Sequence, residues 1–159
     1  QMNLHLSTEL IGEVVAEALR HINRRSAEHH LHIQSGDEYL LAQMDAHLIV
    51  QVIINIVNNA VKYTPPGTDI TLSARREGDT VRVEIADTGP GIPQEAQGRL
   101  FQMFYTAGND RGDGRRGLGL GLALCKSIVE AHGGKIGMRA NEPHGSVFFF
   151  TLQAEEIKL

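Results

Sequence analysis

Seventeen of the 159 residues are glycine, and their placement constrains the fold more than any other feature. Gly89 and Gly91 bracket a proline, Gly108 to Gly121 recur every few residues, and Gly133-Gly134 stand side by side. Glycine inside a helix costs about 1 kcal/mol relative to alanine, so such clusters mark loops and element ends. A chain of 159 residues is long enough for one domain with a real core. Fifteen basic against nineteen acidic residues give −4, which argues against an electrostatic nucleic-acid binder. No apolar run reaches the roughly 18–20 residues of a membrane span, and no signal peptide opens the chain. The single cysteine, Cys125, excludes an internal disulfide and fits a reducing compartment. Gln1-Met2 reads as the cut edge of a longer protein.

Between the glycine clusters the apolar pattern predicts the elements. Ile11, Val14, Val15, Ala18, Leu19 and Ile22 have a helical period, predicting a helix from Thr8 to about His30 capped by Ser7 or Thr8. Leu31, Ile33 and Tyr39 to Met44 predict two short strands around the turn Ser35-Gly36-Asp37. A second helix is expected from Ala46 to Tyr63, with Asp45 as N-cap and Pro65-Pro66-Gly67 as its stop. Ile70, Leu72 and Ala74, then Val81, Val83 and Ile85, alternate around Glu77-Gly78-Asp79, a hairpin with one buried face. A short helix near Gln94 to Met103, a flexible segment Thr106 to Arg116 and a long helix from Gly119 to Gly133-Gly134 follow. Strands Lys135–Ala140 and Ser146–Leu152 close the chain. The expected fold is α+β, a two-layer sandwich with a mixed, mainly antiparallel sheet of about five strands on three helices.

Three constellations carry chemistry. Asn55, Asn59 and Lys62, at i, i+4 and i+7, share one helix face. Carboxamide oxygens can hold Mg²⁺ or its water without adding negative charge beside phosphates, and a lysine offers them a cation. Spacing alone fits a solvated helix face even better. Asp87-Thr88-Gly89-Pro90-Gly91 leaves the end of a strand, where a carboxylate can accept from an exocyclic amine and glycines let backbone approach a flat ring. As composition it is also an ordinary turn. Gly117-Leu118-Gly119-Leu120-Gly121 opens a helix whose free N–H groups can bind phosphate, and Arg111, Arg115 and Arg116 precede it. A Rossmann assignment fails, because no βαβ unit surrounds this run.

Other features have plainer readings. His29, His30 and His32 are expected at an exposed junction rather than around a metal. Cys125 is expected as a small core residue, and Phe148-Phe149-Phe150 as a strand covered on both faces.

In order, these pieces resemble the ATP-binding catalytic domain of sensor histidine kinases, with the Bergerat fold shared by gyrase-type ATPases, Hsp90 chaperones, MutL and anti-sigma serine kinases. Asn55-Ile-Val-Asn-Asn59-Ala-Val-Lys62-Tyr63-Thr matches the N box and Asp87-Thr-Gly89-Pro-Gly91 the G1 box. Leu100-Phe101-Gln-Met-Phe104-Tyr105 matches the F box, and Gly117-Leu-Gly119-Leu-Gly121-Leu the G2 box. Met44 to Gln51, Arg115-Arg116-Gly117, Leu124 to Gly134 and Pro143-His144-Gly145 are similar to KdpD-type, potassium-responsive sensor kinases.

The resemblance implies roles. Asn59, helped by Asn55, would hold Mg²⁺; Lys62 would contact the phosphates of ATP, and Tyr63 would line the pocket. Asp87 would accept a hydrogen bond from the adenine amino group, with Gly89 and Gly91 shaping that pocket. Arg116, Gly117, Leu118, Gly119, Leu120 and Gly121 would surround the triphosphate beneath a lid, Thr106 to Arg116, with Tyr105 at its base. Thr106 stands where many members have arginine, which leaves Arg111, Arg115 or Arg116 to supply that cation, and Leu118 replaces a small polar residue. Gyrase, Hsp90 and MutL relatives carry glutamate at the Asn55 position; a carboxamide cannot take water's proton, so phosphoryl transfer rather than efficient hydrolysis is expected. None of the eight histidines has the acidic residue that usually follows the family's phosphoacceptor.

The implied protein is therefore the catalytic domain, residues 1–159, of a protein-histidine kinase whose acceptor lies on a separate dimerisation domain. Its partners would be that domain and a downstream response regulator, with no nucleic acid and no direct membrane contact. The piece itself would be a monomer, the parent a homodimer, with this part in the cytoplasm and the parent anchored in a bacterial membrane. A nucleotide-sensing module without transfer, or an anti-sigma-type serine kinase, are the alternatives.

Overall fold

The computed structural model describes residues 2–22, 28–34, 40–102 and 120–155. The strands are β1 (Ser7–Leu10), β2 (His30–Gln34), β3 (Leu41–Met44), β4 (Asp69–Glu77), β5 (Thr80–Asp87), β6 (Ile136–Ala140) and β7 (Ser146–Glu155), with alternating apolar residues clearest in β4 and β5. Helical periods produce α1 (Ile11–Arg20), α2 (Ala46–Tyr63), a single turn α3 (Gln94–Gln97) and α4 (Leu120–Ala131). The sheet runs β1-β3-β7-β5-β4-β2, with β6 also on β7. Among the described residues only β2 on β4 is parallel; the other pairings are antiparallel.

The β4–β5 hairpin follows from its turn. Glu77 pairs with Thr80, leaving Gly78 and Asp79 as a two-residue loop, and Gly78 has φ +63°, a conformation that favours glycine. Its inward residues Ile70, Leu72, Val81, Val83 and Ile85 meet Phe148, Phe150 and Leu152 of β7 under the helices. Against them α2 lays Ile49, Val52, Ile53, Ile56 and Val57, and α4 lays Cys125, Ile128 and Val129, all essentially inaccessible. On the opposite face Glu84 is ringed by Arg82 at 2.8 Å and by Arg75 and Arg139 at 3.5 Å each. Burial opposes its charge, but Arg82, Arg75 and Arg139 hold its carboxyl below the usual range. Arg82 also lies 3.8 Å from the Phe149 ring centroid, so all three consecutive phenylalanines are covered.

Asp45 caps α2 as its sequence position implies, accepting from the Leu48 N–H. The Gly133-Gly134 stop of α4 also holds: Gly133, at φ +77°, donates to Glu130 and Gly134 donates to Val129.

Several expectations are corrected. The helix predicted from Thr8 begins instead at Ile11 and ends at Arg20, and neither Ser7 nor Thr8 caps it. Ser7–Leu10 is drawn into β1 by pairing with Leu41–Met44, a partner more than thirty residues away, and the Ile11 N–H is satisfied by the Leu40 carbonyl. The two strands expected around Ser35-Gly36-Asp37 do not pair with each other: β2 joins β4, while β3 sits between β1 and β7. The turn itself lies outside the described residues. Among the described residues the sheet has seven strands rather than about five, and the helix expected near Gln94 to Met103 closes after one turn at Gly98, Met103 itself lying outside the described residues.

Candidate functional site

The sheet register places Asp87 where chemistry is possible. It continues the inward face of β5, opposite Ile70 and Ser146, beyond the last apolar pair. The residue is only 5% exposed, and its Oδ1 accepts from Gly89 N–H at 2.9 Å and Ser146 N–H at 3.3 Å. Among the described residues Oδ2 accepts no hydrogen bond. Burial pushes the Asp87 carboxyl above its ordinary range, and the two backbone donors only partly offset this. A buried carboxylate with one oxygen held by backbone and the other unspent suits an amino-group donor.

The turn around Asp87 is tightly built. A side chain at Gly89 would meet the Thr64 methyl at 2.6 Å and Asp87 Oδ1 at 3.1 Å, so glycine is required there for the close approach. Gly91 has φ +86° and lies against the Gly145 carbonyl. The β6–β7 loop supports this turn from the far side: Asn141 donates to the Asp87 carbonyl at 2.9 Å, and His144 Nδ1 lies 3.0 Å from the Gly89 carbonyl. Asn141 and Ser146 are contributors that the sequence motifs did not single out, while Thr64 and Gly145 stand in the N box and in Pro143-His144-Gly145 without a role assigned to them. The Gly in Asn141–Gly145 was the available signal, but its partner lies more than fifty residues away.

Asn55, Asn59 and Lys62 lie on the same stripe of α2, all three half-buried. The Lys62 ammonium is 4.9 Å from the centre of the Tyr63 ring, so Lys62 and Tyr63 leave the helix end together. Across the α2–α4 contact the Cys125 thiol points its sulfur at the Val52 carbonyl, at 3.7 Å, beside Asn55. At the other end of that contact the Asp45 N–H donates to His132 Nε2 at 3.0 Å, while His132 Nδ1–H donates to Ile128. The helix that carries the asparagines is thus held against α4. Leu120 and Gly121 begin α4. Tyr105, Thr106, Arg111, Arg115, Arg116, Gly117, Leu118 and Gly119 lie outside the described residues, as do Met103 and Phe104 of the F box; Leu100 is buried and Phe101 stacks edge-on to Phe148 at 6.2 Å.

Burial pushes the Cys125 thiol up to about 12. The folded chain is therefore expected to leave a thiol reagent unreacted at pH 8, and to consume one equivalent once denatured; prompt reaction when folded would contradict this placement.

Two surface features are set apart. His30 and His32 are exposed beside Asp69, as expected, but His29 is buried, at 8% exposure, because its ring reaches Thr64. An open cavity of about 450 Å³ lies between α1 and α2, lined by Glu9, Glu13, Glu17, Val14, Val50 and Ile54 among others. Among the described residues its walls carry three glutamates and two histidines and no lysine or arginine, which disfavours a polyphosphate.

The family profile described as histidine kinase-, DNA gyrase B-, and HSP90-like ATPase matches residues 44–156, which contain α2, the Asp87 turn and α4. The chain belongs to that family. This ATPase-type domain is 40% identical over 147 residues to the sensor protein KdpD of Clostridium acetobutylicum, covering 92% of this chain. It spans only 16% of that relative's length. Among solved structures, the catalytic domain of histidine kinase ThkA superposes with a TM-score of 0.82 at 29% identity, covering 94% of this chain and 96% of that one. ThkA in complex with response regulator protein TrrA is also similar, with a TM-score of 0.77, 27% identity, and coverage of 94% of this chain and 42% of that one. The α+β architecture is that of histidine kinase catalytic domains.

Proposed function

We propose that the domain binds Mg-ATP between α2, the Asp87 turn and the start of α4, and passes the γ-phosphoryl group to a histidine on a separate dimerisation domain. The observation that carries this is the Asp87 carboxylate: buried at a strand end, held through Oδ1, and beside a helix whose asparagines suit a metal–phosphate group. Asp87 Oδ2 accepts the adenine amino hydrogen while Gly89 and Gly91 let main chain lie along the ring. Lys62 contacts the phosphates and Tyr63 lines the nucleotide pocket, a reading supported by the two side chains leaving the end of α2 together. Arg116, Gly117, Leu118, Gly119, Leu120 and Gly121 supply backbone N–H groups and a cation to the triphosphate. Asn59 and Asn55 present amide oxygens that fit Mg²⁺, which when bound neutralises phosphate charge.

The chemistry this set favours is transfer rather than hydrolysis. No carboxylate occupies the Asn55 position to take a proton from water, so the domain positions the nucleotide and leaves deprotonation to the acceptor. The bond between the γ-phosphorus and the bridging oxygen breaks to release ADP as a phosphorus–nitrogen bond forms on the acceptor imidazole. We further propose that residues 1–159 are one domain of a longer, dimeric, membrane-anchored sensor that acts on a response regulator. The ThkA–TrrA complex supports the regulator partner, and the identity to KdpD supports a potassium-responsive parent. Incubating the chain with labelled ATP, magnesium and the parent's dimerisation domain should place acid-labile phosphate on that domain. Absence of label there, with the acceptor competent toward an active homologue, would contradict transfer; acid-stable phosphoserine on a partner would point to a serine kinase.

A further inference from the structure

We infer that His29, which lies outside the motifs of the site, is a positioning residue for its adenine end; the inference rests on the nucleotide reading of the Asp87 turn. His29 precedes β2 and is buried. Its Nε2 lies 2.9 Å from Thr64 Oγ1 and 3.2 Å from the Thr64 carbonyl oxygen. The Thr64 hydroxyl spends its own hydrogen on the Ala60 carbonyl, at 2.6 Å. The shared proton must therefore sit on Nε2, and His29 donates.

That tautomer leaves Nδ1 a bare acceptor, and it is the one fully buried side-chain N or O atom without a partner among the described residues. Burying an unpaired acceptor is unfavourable, so a leucine or methionine would be the better filler if filling were the task. What histidine alone adds is the grip on Thr64. Thr64 ends the N-box stretch, just after Lys62-Tyr63, and its methyl is the group that a side chain at Gly89 would strike first. Gly89 in turn donates to Asp87 Oδ1.

The neighbouring backbone reinforces the same seam. Gly67 N–H donates to the Glu28 carbonyl at 2.7 Å and His30 N–H to the Thr68 carbonyl at 3.0 Å. His29 thus fixes how far the end of α2 presses on the Asp87 turn, and with it where Oδ2 meets the base. It acts through Thr64 and does not itself reach the nucleotide.

ATP titrations of the 159-residue chain test this. His29→Leu removes the donor, and Thr64→Val removes the hydroxyl while keeping the methyl against Gly89. Each should weaken ATP binding about 5–10-fold, and the double variant should be no weaker than either single change. His29→Gln, which returns an N–H donor to the Nε2 position, should restore affinity to within about twofold. A merely structural role would show loss without rescue by glutamine. The inference is overturned if the wild-type chain binds ATP and Thr64→Val binds it equally, if glutamine is as weak as leucine, or if the two single effects add. A wild-type chain that takes up no ATP would overturn the nucleotide reading itself. Thr64→Val preserves volume, so the contact is read even if His29→Leu does not fold.

Discussion

Asp87→Asn should weaken ATP by about 1.5–3 kcal/mol, roughly 10- to 150-fold, while leaving the fold intact. The amide oxygen can still accept from Gly89 and Ser146 on one side, so the turn persists. What is lost is a charged acceptor for the base amino group, and an NH₂ then faces the adenine amine. The stability effect runs the other way. Burial raises the folded Asp87 carboxyl above its unfolded value, so the native state holds more protons than the unfolded chain between the two. Its stabilising contribution is present below the unfolded value and is lost as pH rises through the folded one. Asparagine does not titrate, so the variant should lack this fall, and at neutral pH its apo form should melt no lower than wild type. Calorimetric ATP titration paired with thermal melts from pH 4 to 8 checks both halves. Unchanged affinity would remove Asp87 from the adenine contact, and a wild-type melt that rises through that window with no counterpart in the variant would contradict the sign of the shift.

Gly145→Ala should be the more damaging change, costing about 2–5 kcal/mol in stability. Gly145 has φ +111°, and a Cβ there would overlap the Asp87 carbonyl, a backbone atom that cannot swing aside. Left-handed strain and the overlap add, against a total stability of only about 5–15 kcal/mol for a domain of this kind. Gly78→Ala is the control: its φ is +63° in the β4–β5 turn but the space is open, so only conformational strain of about 1–2 kcal/mol is expected. Because Gly145 backs the Asp87 turn, the surviving folded fraction should also bind ATP less tightly, whereas Gly78→Ala should bind it normally. Urea unfolding with and without ATP separates these effects. Equal destabilisation by the two substitutions would show that the β6–β7 loop does not brace the turn.

Legibility in the sequence followed the range of the interactions. Asp45 capping α2, Gly78 turning β4 into β5 and Gly133 ending α4 are local devices, readable from three or four neighbouring residues. The asparagine stripe was legible for the same reason, since helical spacing alone puts Asn55, Asn59 and Lys62 on one face. Ser7–Leu10 carries no strand signal of its own and becomes β1 only because β3 offers an edge. The parallel pairing of β2 with β4 is likewise set across the sheet rather than by the loop that follows β2. His29 looked like a surface histidine because the threonine that buries it is thirty-five residues away. The brace that Asn141 and Gly145 give the main-chain carbonyl of Asp87 was not legible for the same cause, since Asn141 lies fifty-four residues from it.

The most direct test is an amide-shift map of the chain titrated with Mg-ATP. Shifts should concentrate at residues 55–64 of α2 and its end, at 87–91, at 145–146 and at the start of α4, while the outer sheet face around Arg75, Arg82 and Arg139 stays still. Shifts centred instead on Glu13, Glu17 and Gln51 in the groove between α1 and α2, with residues 87–91 silent, would contradict it.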